Sequence, residues 1–216
     1  MHSASKAPDA SLERRLLSEG YSLVAGVDEV GRGALAGPVV AAAVVLPAPF
    51  DRFEGIGVKD SKLLSPKKRE ELFLGFLGEP RFWALGVSSV EEIDKIGIRP
   101  ATLLAMRRAI GSLSSIPDLI LVDGQDIVPD WDGPQRAIPS GDRTVLSIAI
   151  SSVIAKVHRD REMVQLDSVC HGYDFSHNKG YGTETHRDGL LRLGLSTSHR
   201  VKFCRTFLSP TQGSIF

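Results

Sequence analysis

At 216 residues the chain has the length of one ordinary domain and can bury most of its apolar surface in a single core. Apolar residues make up 42% and charged residues 24%, and 26 basic side chains balance 26 acidic ones, which excludes a disordered chain or a coiled coil and argues against a uniformly basic nucleic-acid coat. The longest uncharged stretch, residues 33–50, is broken by Gly37, Pro38, Pro47 and Pro49, so no segment reaches the roughly 20 apolar residues of a membrane span. The polar start MHSASKAPDASLERR lacks a signal-peptide core, and the two cysteines, Cys170 and Cys204, read as reduced core thiols, so a cytoplasmic location is expected.

Residues 1–20 read as a poorly ordered N-terminal segment. Residues 22–28 form a short apolar strand and 37–46 a second, and the glycine-punctuated turn between them makes a hairpin. Ser65-Pro66 opens a helix to about Phe76, with serine as cap and proline at the first helical position. Residues 82–87 are a third strand. Pro100 opens a helix in which Leu103, Leu104, Met106 and Ile110 recur at helical spacing, and residues 118–122 are a buried strand ending at Asp123-Gly124. A variable loop covers 127–140, a long helix 145–169, a Thr183-capped helix 183–193 and a short helix 198–206. Early strands, later helices and acidic strand ends indicate an α/β domain over 21–207, a mixed sheet with helices on its faces. Its helical part, about 170–207, is basic, and 208–216 is a frayed tail.

The basic character is local. Between residues 176 and 207, Lys179, Arg187, Arg192, Arg200, Lys202 and Arg205 face only Glu184 and Asp188, with His177, His186 and His199 added. Such a surface beside an acidic centre suits phosphate binding.

The densest chemical signal is Asp28-Glu29 at the exit of an apolar strand, followed by Gly31-Arg32-Gly33. Two adjacent carboxylates repel, and a divalent cation resolves that repulsion. Neighbouring side chains of a regular strand point to opposite faces, so Glu29 joins Asp28 at one ion only if the strand is distorted; otherwise it contributes its backbone carbonyl or serves a second ion. Asp123 closes another strand, where open α/β sheets place their ligands. Asp142 precedes the long helix, as a third acidic candidate or only as a cap. Gly31, Gly33 and Gly37 miss the dinucleotide-binding spacing, and no Walker, zinc-protease or serine-esterase motif occurs. His177-Asn-Lys-Gly-Tyr181-Gly-Thr183 sets an aromatic ring between glycines near a helix start, suited to stacking a sugar or base beside a phosphate.

Taken in order, these segments resemble ribonuclease HII, the type 2 ribonuclease H family, over about 22–206. The resemblance rests on Gly26-Val-Asp28-Glu29-Val-Gly31-Arg32-Gly33 with Leu35-Ala-Gly37-Pro38, on Asp60-Ser61-Lys62 with Leu64-Ser65, and on Glu92-Ile-Asp94, Ala101-Thr102 and Ala105-Met106. It continues through Val122-Asp123-Gly124, Ile154-Ala-Lys156-Val with Arg159-Asp160, and Lys179-Gly-Tyr181-Gly-Thr183 with His186. Ala34, Leu63 and Gln125-Asp126 depart from the usual pattern. The resemblance implies a ribonuclease H-like fold and a monomeric endonuclease that cuts the RNA strand of RNA–DNA hybrids and incises 5′ to single ribonucleotides in duplex DNA, leaving 5′-phosphate and 3′-hydroxyl ends. It implies two Mg²⁺ or Mn²⁺ ions held by a catalytic set of Asp28, Glu29, Asp123 and Asp142. Gly31, Arg32 and Gly33 would contact the ribonucleotide, Tyr181 would stack on the sugar, and Lys62 and Lys156 would meet phosphate or serve as ion-pair partners. Asp160, deep in a helix, is expected to pair with an arginine. Two alternatives stay open: a ribonuclease HIII-like nuclease acting on long hybrids, against which the short stretch before the first strand argues, and a non-catalytic hybrid-binding module.

Overall fold

The computed structural model describes residues 7–58, 61, 64–77 and 82–207. Its sheet is built from β1 (Val24–Val30), β2 (Val39–Val45), β3 (Trp83–Ser88), β4 (Leu119–Asp123) and β5 (Gln135–Ile138), in the spatial order β3-β2-β1-β4-β5. The first three strands pair antiparallel, and β4 and β5 add parallel to β1. Helices α4 (Ile98–Gly111) and α5 (Leu146–Asp167) cover opposite faces. The uncharged run that predicts β2 follows from this burial on both sides: Val40, Ala42 and Val44 pack with Ile150, Val153 and Ile154 of α5, while Val39, Ala41 and Ala43 pack with Ala105, Met106 and Ala109 of α4. Each helix rests directly on a strand glycine. A Cβ at Gly26 would stand 2.5 Å from main-chain atoms of Ser147 and Ile148, and one at Gly86 would strike the Ala105 carbonyl.

The remaining helices are α1 (Ser11–Ser18), α2 (Pro66–Leu77), α3 (Val90–Ile96), α6 (Phe175–Asn178), α7 (Glu184–Leu193) and α8 (Val201–Cys204). Helix α2 packs its Leu72 and Phe73 beside α5. Thr183 caps α7 as expected, its side chain accepting from His186 N. No helix among the described residues is long and apolar enough to cross a membrane.

Three readings of the chain need correction. Residues 11–18, inside the segment expected to be poorly ordered, form α1 and bury Leu16 and Glu13. The cause is a tertiary contact: Glu13 Oε1 accepts from Ser147 N at 2.8 Å at the start of α5, where Val145 supplies no side-chain cap. Within the expected loop 127–140 lies β5, whose Gln-Arg-Ala-Ile sequence is half-buried at every position and so shows no alternation. Ahead of α4 stands α3, opened by a capping box of Ser89 and Glu92.

Candidate active site

The cleft opens where two neighbouring parallel strands part. β1 pairs with β4 only as far as Val27↔Val122, yet runs on against β2 to Val30↔Val40. Beyond Val27 the β4 side of β1 has no partner strand among the described residues, and Asp28 and Glu29 line the same cleft as Asp123, which ends β4. That gap, rather than a distorted strand, is how adjacent residues come to share one site.

Asp28 is 5% exposed. Its Oδ1 accepts from Glu29 N at 2.7 Å, and the nearby Ser152 hydroxyl of α5 favours its charged form. Burial pushes its pKa well above the ordinary carboxylate range, and the charges of Glu29 and Asp123 push the same way. Glu29 is raised too, mainly by burial, while Arg32 opposes the shift through an ion pair of 3.2 Å between Nη1 and Oε1. Asp142, nearly buried, sits in the 3-10 turn Gly141–Arg143, and its N–H donates to Asp123 Oδ1 at 3.3 Å. That hydrogen bond docks the turn against the end of β4 and brings the fourth acidic residue to the cleft wall.

The donor set fits hard divalent cations. Among the described residues no three His, Cys, Asp or Glu side chains close on a single point. Four carboxylates along an open cleft suit hydrated ions that also take substrate phosphate oxygens, as Mg²⁺ does in sites without an all-protein cage. Burial, with the charges of Glu29 and Asp123, raises the proton affinity of Asp28, and a cation bound beside it would offset that repulsion.

Gly31, Arg32, Gly33, Lys156 and Tyr181 line the same cleft. Lys156 Nζ lies 2.6 Å from Asp160 Oδ1 and 5.9 Å from the Tyr181 ring centre, and its pKa is lowered by burial. Asp160 pairs with this lysine and, at 3.7 Å, with Arg69, in keeping with an arginine partner. Lys62 lies outside the described residues. Its neighbour Ser61 hydrogen-bonds Ser152 Oγ at 2.9 Å, and Arg69 donates to the Ser61 carbonyl at 2.8 Å.

The basic C-terminal surface needs revision. Arg200 is fully buried, as are His186 and, nearly, His199; so is Arg159 of α5. Arg159 donates to the carbonyls of Pro38, Ala36 and Lys179, and Arg200 to those of Arg32, Ala34, Gly37 and Pro38, all within 2.8–3.1 Å. These contacts hold the loop that carries Gly31-Arg32-Gly33. Burial, with the charge of Arg159 nearby, lowers Arg200 to about 9, still protonated at neutral pH. The net-charge count could not separate such interior cations from surface ones. The helical spacing of Ser152, Lys156, Arg159 and Met163, one face of α5, was a signal in the sequence for the first of them.

The sequence pattern of the family described as Ribonuclease HII matches residues 25–206. The chain belongs to the ribonuclease HII family. It is 47% identical over 198 residues to the ribonuclease HII of Caldicellulosiruptor saccharolyticus, covering 91% of this chain and 94% of that one. It is 50% identical over 186 residues to that of Parasynechococcus marenigrum, covering 86% and 83%. The crystal structure of ribonuclease H2 from Pyrococcus horikoshii superposes with a TM-score of 0.71 at 27% identity, over 86% of this chain and 96% of that one. Membership in ribonuclease HII makes the chain a ribonuclease H endonuclease with the ribonuclease H-like fold. It also decides between the enzymatic and the non-catalytic readings of the sequence.

Proposed function

We propose that this ribonuclease HII hydrolyses the RNA strand of RNA–DNA hybrids and incises duplex DNA on the 5′ side of single ribonucleotides, leaving 5′-phosphate and 3′-hydroxyl ends. The observation that carries the reading is Asp28: a buried carboxylate beside Glu29 and Asp123, in a cleft whose rim carries Gly31-Arg32-Gly33 and Tyr181. Asp28, Glu29, Asp123 and Asp142 would hold two Mg²⁺ or Mn²⁺ ions. Such ions supply a nucleophilic water at neutral pH and charge neutralisation at the departing 3′ oxygen. Glycines at 31 and 33 let main-chain N–H groups approach the ribose 2′-hydroxyl, Arg32 meets a phosphate, and the Tyr181 ring, flanked by Gly180 and Gly182, stacks on the adjacent sugar. Lys156, which lines the same wall and pairs with Asp160, would meet a phosphate on leaving that partner. The protein is read as a cytoplasmic monomer with reduced thiols; burial pushes the Cys204 thiol up to about 12, which makes it inert.

The test is cleavage of a labelled duplex containing one ribonucleotide, with Mg²⁺, Mn²⁺ or chelator, beside Asp28→Asn. A metal-dependent cut 5′ to the ribonucleotide, absent in the variant, is expected. Cleavage of long hybrids without that cut would remove the single-ribonucleotide activity, and wild-type rates in Asp28→Asn would remove the ligand assignment.

A further inference from the structure

Two consecutive residues near the C-terminus reach both halves of the substrate rim. His199 and Arg200 follow α7 and precede α8, and Ala36 pairs with His199 as an antiparallel bridge. Arg200 N donates to Leu35 O at 2.8 Å, and the Arg200 guanidinium gathers the carbonyls of Arg32, Ala34, Gly37 and Pro38. With those carbonyls turned inward, the backbone of residues 31–38 is fixed from below.

His199 acts in the other direction. Its Nδ1 receives the Ser196 N–H at 3.0 Å and lies 2.8 Å from Ser196 Oγ, so Nδ1 is the acceptor and Nε2 carries the proton. His199 Nε2–H therefore donates to His186 Nε2 at 3.0 Å, which leaves the proton of His186 on Nδ1, where it donates to the Tyr181 carbonyl at 3.0 Å. Every proton in this chain is placed by the one main-chain donor at its start. Both imidazoles are enclosed by Tyr173 and Phe175, with ring centres 4.6–6.3 Å apart, so neither ring has room to turn over.

A third link closes the unit. Gly180 O accepts from Leu35 N at 2.8 Å, directly joining the loop to the residue before Tyr181, and Arg159 spans the same two segments by bonding Pro38, Ala36 and Lys179 carbonyls.

We propose that His199 and Arg200 are positioning residues that set the spacing between the Gly31–Gly33 loop and Tyr181, and through it the enzyme's selectivity for a ribonucleotide. The proposal rests on the reading that the loop and Tyr181 contact substrate. Neither residue lines the cleft, so both act through the segments they hold.

The test compares the wild type with Arg200→Lys, which keeps the charge but loses the planar fork, and with His199→Asn, which keeps an acceptor for Ser196 but cannot reach His186. Binding to a duplex with one ribonucleotide and to its all-DNA counterpart is measured in chelator, and KM and kcat are measured with Mn²⁺ per folded molecule. The ratio of the two affinities is expected to fall by about tenfold in each variant, with a raised KM and little change in all-DNA binding. A variant that merely lost stability would lower the folded fraction and leave ratio and KM untouched; a folded variant with both unchanged overturns the proposal. A wild type that shows no preference for the ribonucleotide duplex instead removes the functional reading beneath it. Should neither variant fold, hydrogen exchange on the wild type decides: the amides of Leu35, Gly37, Thr183 and Arg200 are expected to open as one unit, and independent opening of the loop amides overturns the coupling.

Discussion

Replacing Asp28 by asparagine should stabilise the metal-free protein while it abolishes cleavage. The aspartate is 5% exposed and its charge is opposed by burial and by Glu29 and Asp123. Asparagine is nearly isosteric, its Oδ1 retains the 2.7 Å hydrogen bond from Glu29 N, and its amide can donate to Ser152 Oγ. What is lost is a buried, repelled charge, for which a gain of about 1–2 kcal/mol is expected. For a chain of this length that raises Tm by about 2–8 °C. The pH dependence has a definite sign. A carboxyl whose folded pKa lies above its unfolded value favours the folded state most below the unfolded pKa, and the benefit is lost as pH rises through the folded pKa. In chelator the wild type should therefore lose stability relative to Asp28→Asn as the pH rises above about 4. Thermal melts from pH 4 to 8, with EDTA and with Mg²⁺ or Mn²⁺, measure both effects. Divalent ions should raise Tm in the wild type and much less in the variant. An Asp28→Asn protein that melts below the wild type in EDTA, or gains equally from divalent ions, would refute the account of a strained acidic cluster.

Glu13→Ala should cost about 1–2 kcal/mol by uncapping α5, and the measure is a lower urea midpoint with KM unchanged. Gly26→Ala should be far worse, because its Cβ meets main-chain atoms of α5 2.5 Å away; a loss of about 3 kcal/mol or more is expected, and a soluble variant with wild-type melting would show that α5 can lift off the strand. Arg32→Ala frees Glu29 from its ion pair. Ribonucleotide selectivity should fall in cleavage assays, while the binding of divalent ions measured calorimetrically is retained or strengthened.

How far the sequence could be read depended on where each signal arose. β2 was legible because burial on both faces leaves an uncharged run, and α5 because its apolar face is long. Asp123 was legible because a carboxylate ending an apolar strand is conspicuous on its own, and Asp28 because it breaks an apolar run just ahead of a glycine turn, although β1 continues two residues beyond it. α1 was not, since its ordering comes from Glu13 reaching a helix 134 residues away. β5 was hidden because a four-residue outer strand with a glutamine and an arginine carries no period. The alternation rule was sound for Glu29, yet it assumed a neighbouring strand on each side, and β4 has already left β1 at that point. The role of Arg200 could not be read locally, because it is defined by carbonyls more than 160 residues away, and helical spacing could place Arg159 on one face of α5 but not name the carbonyls of Ala36 and Pro38 that it binds.

Arg159 and Arg200 also bear on how nucleic acid first approaches. All the hydrogen bonds they make among the described residues end on main-chain carbonyls, so no carboxylate bonded to them cancels their charge. Dissolved ions cannot enter the protein to screen them closely, and the two charges lie beneath the peptide loop at the cleft rim, with Asp94, Asp160 and Glu162 near enough to offset part of them. Attraction of a phosphate backbone at this rim thus has two parts: a strongly salt-sensitive one from exposed lysines and arginines, and one from the interior charges that salt weakens less.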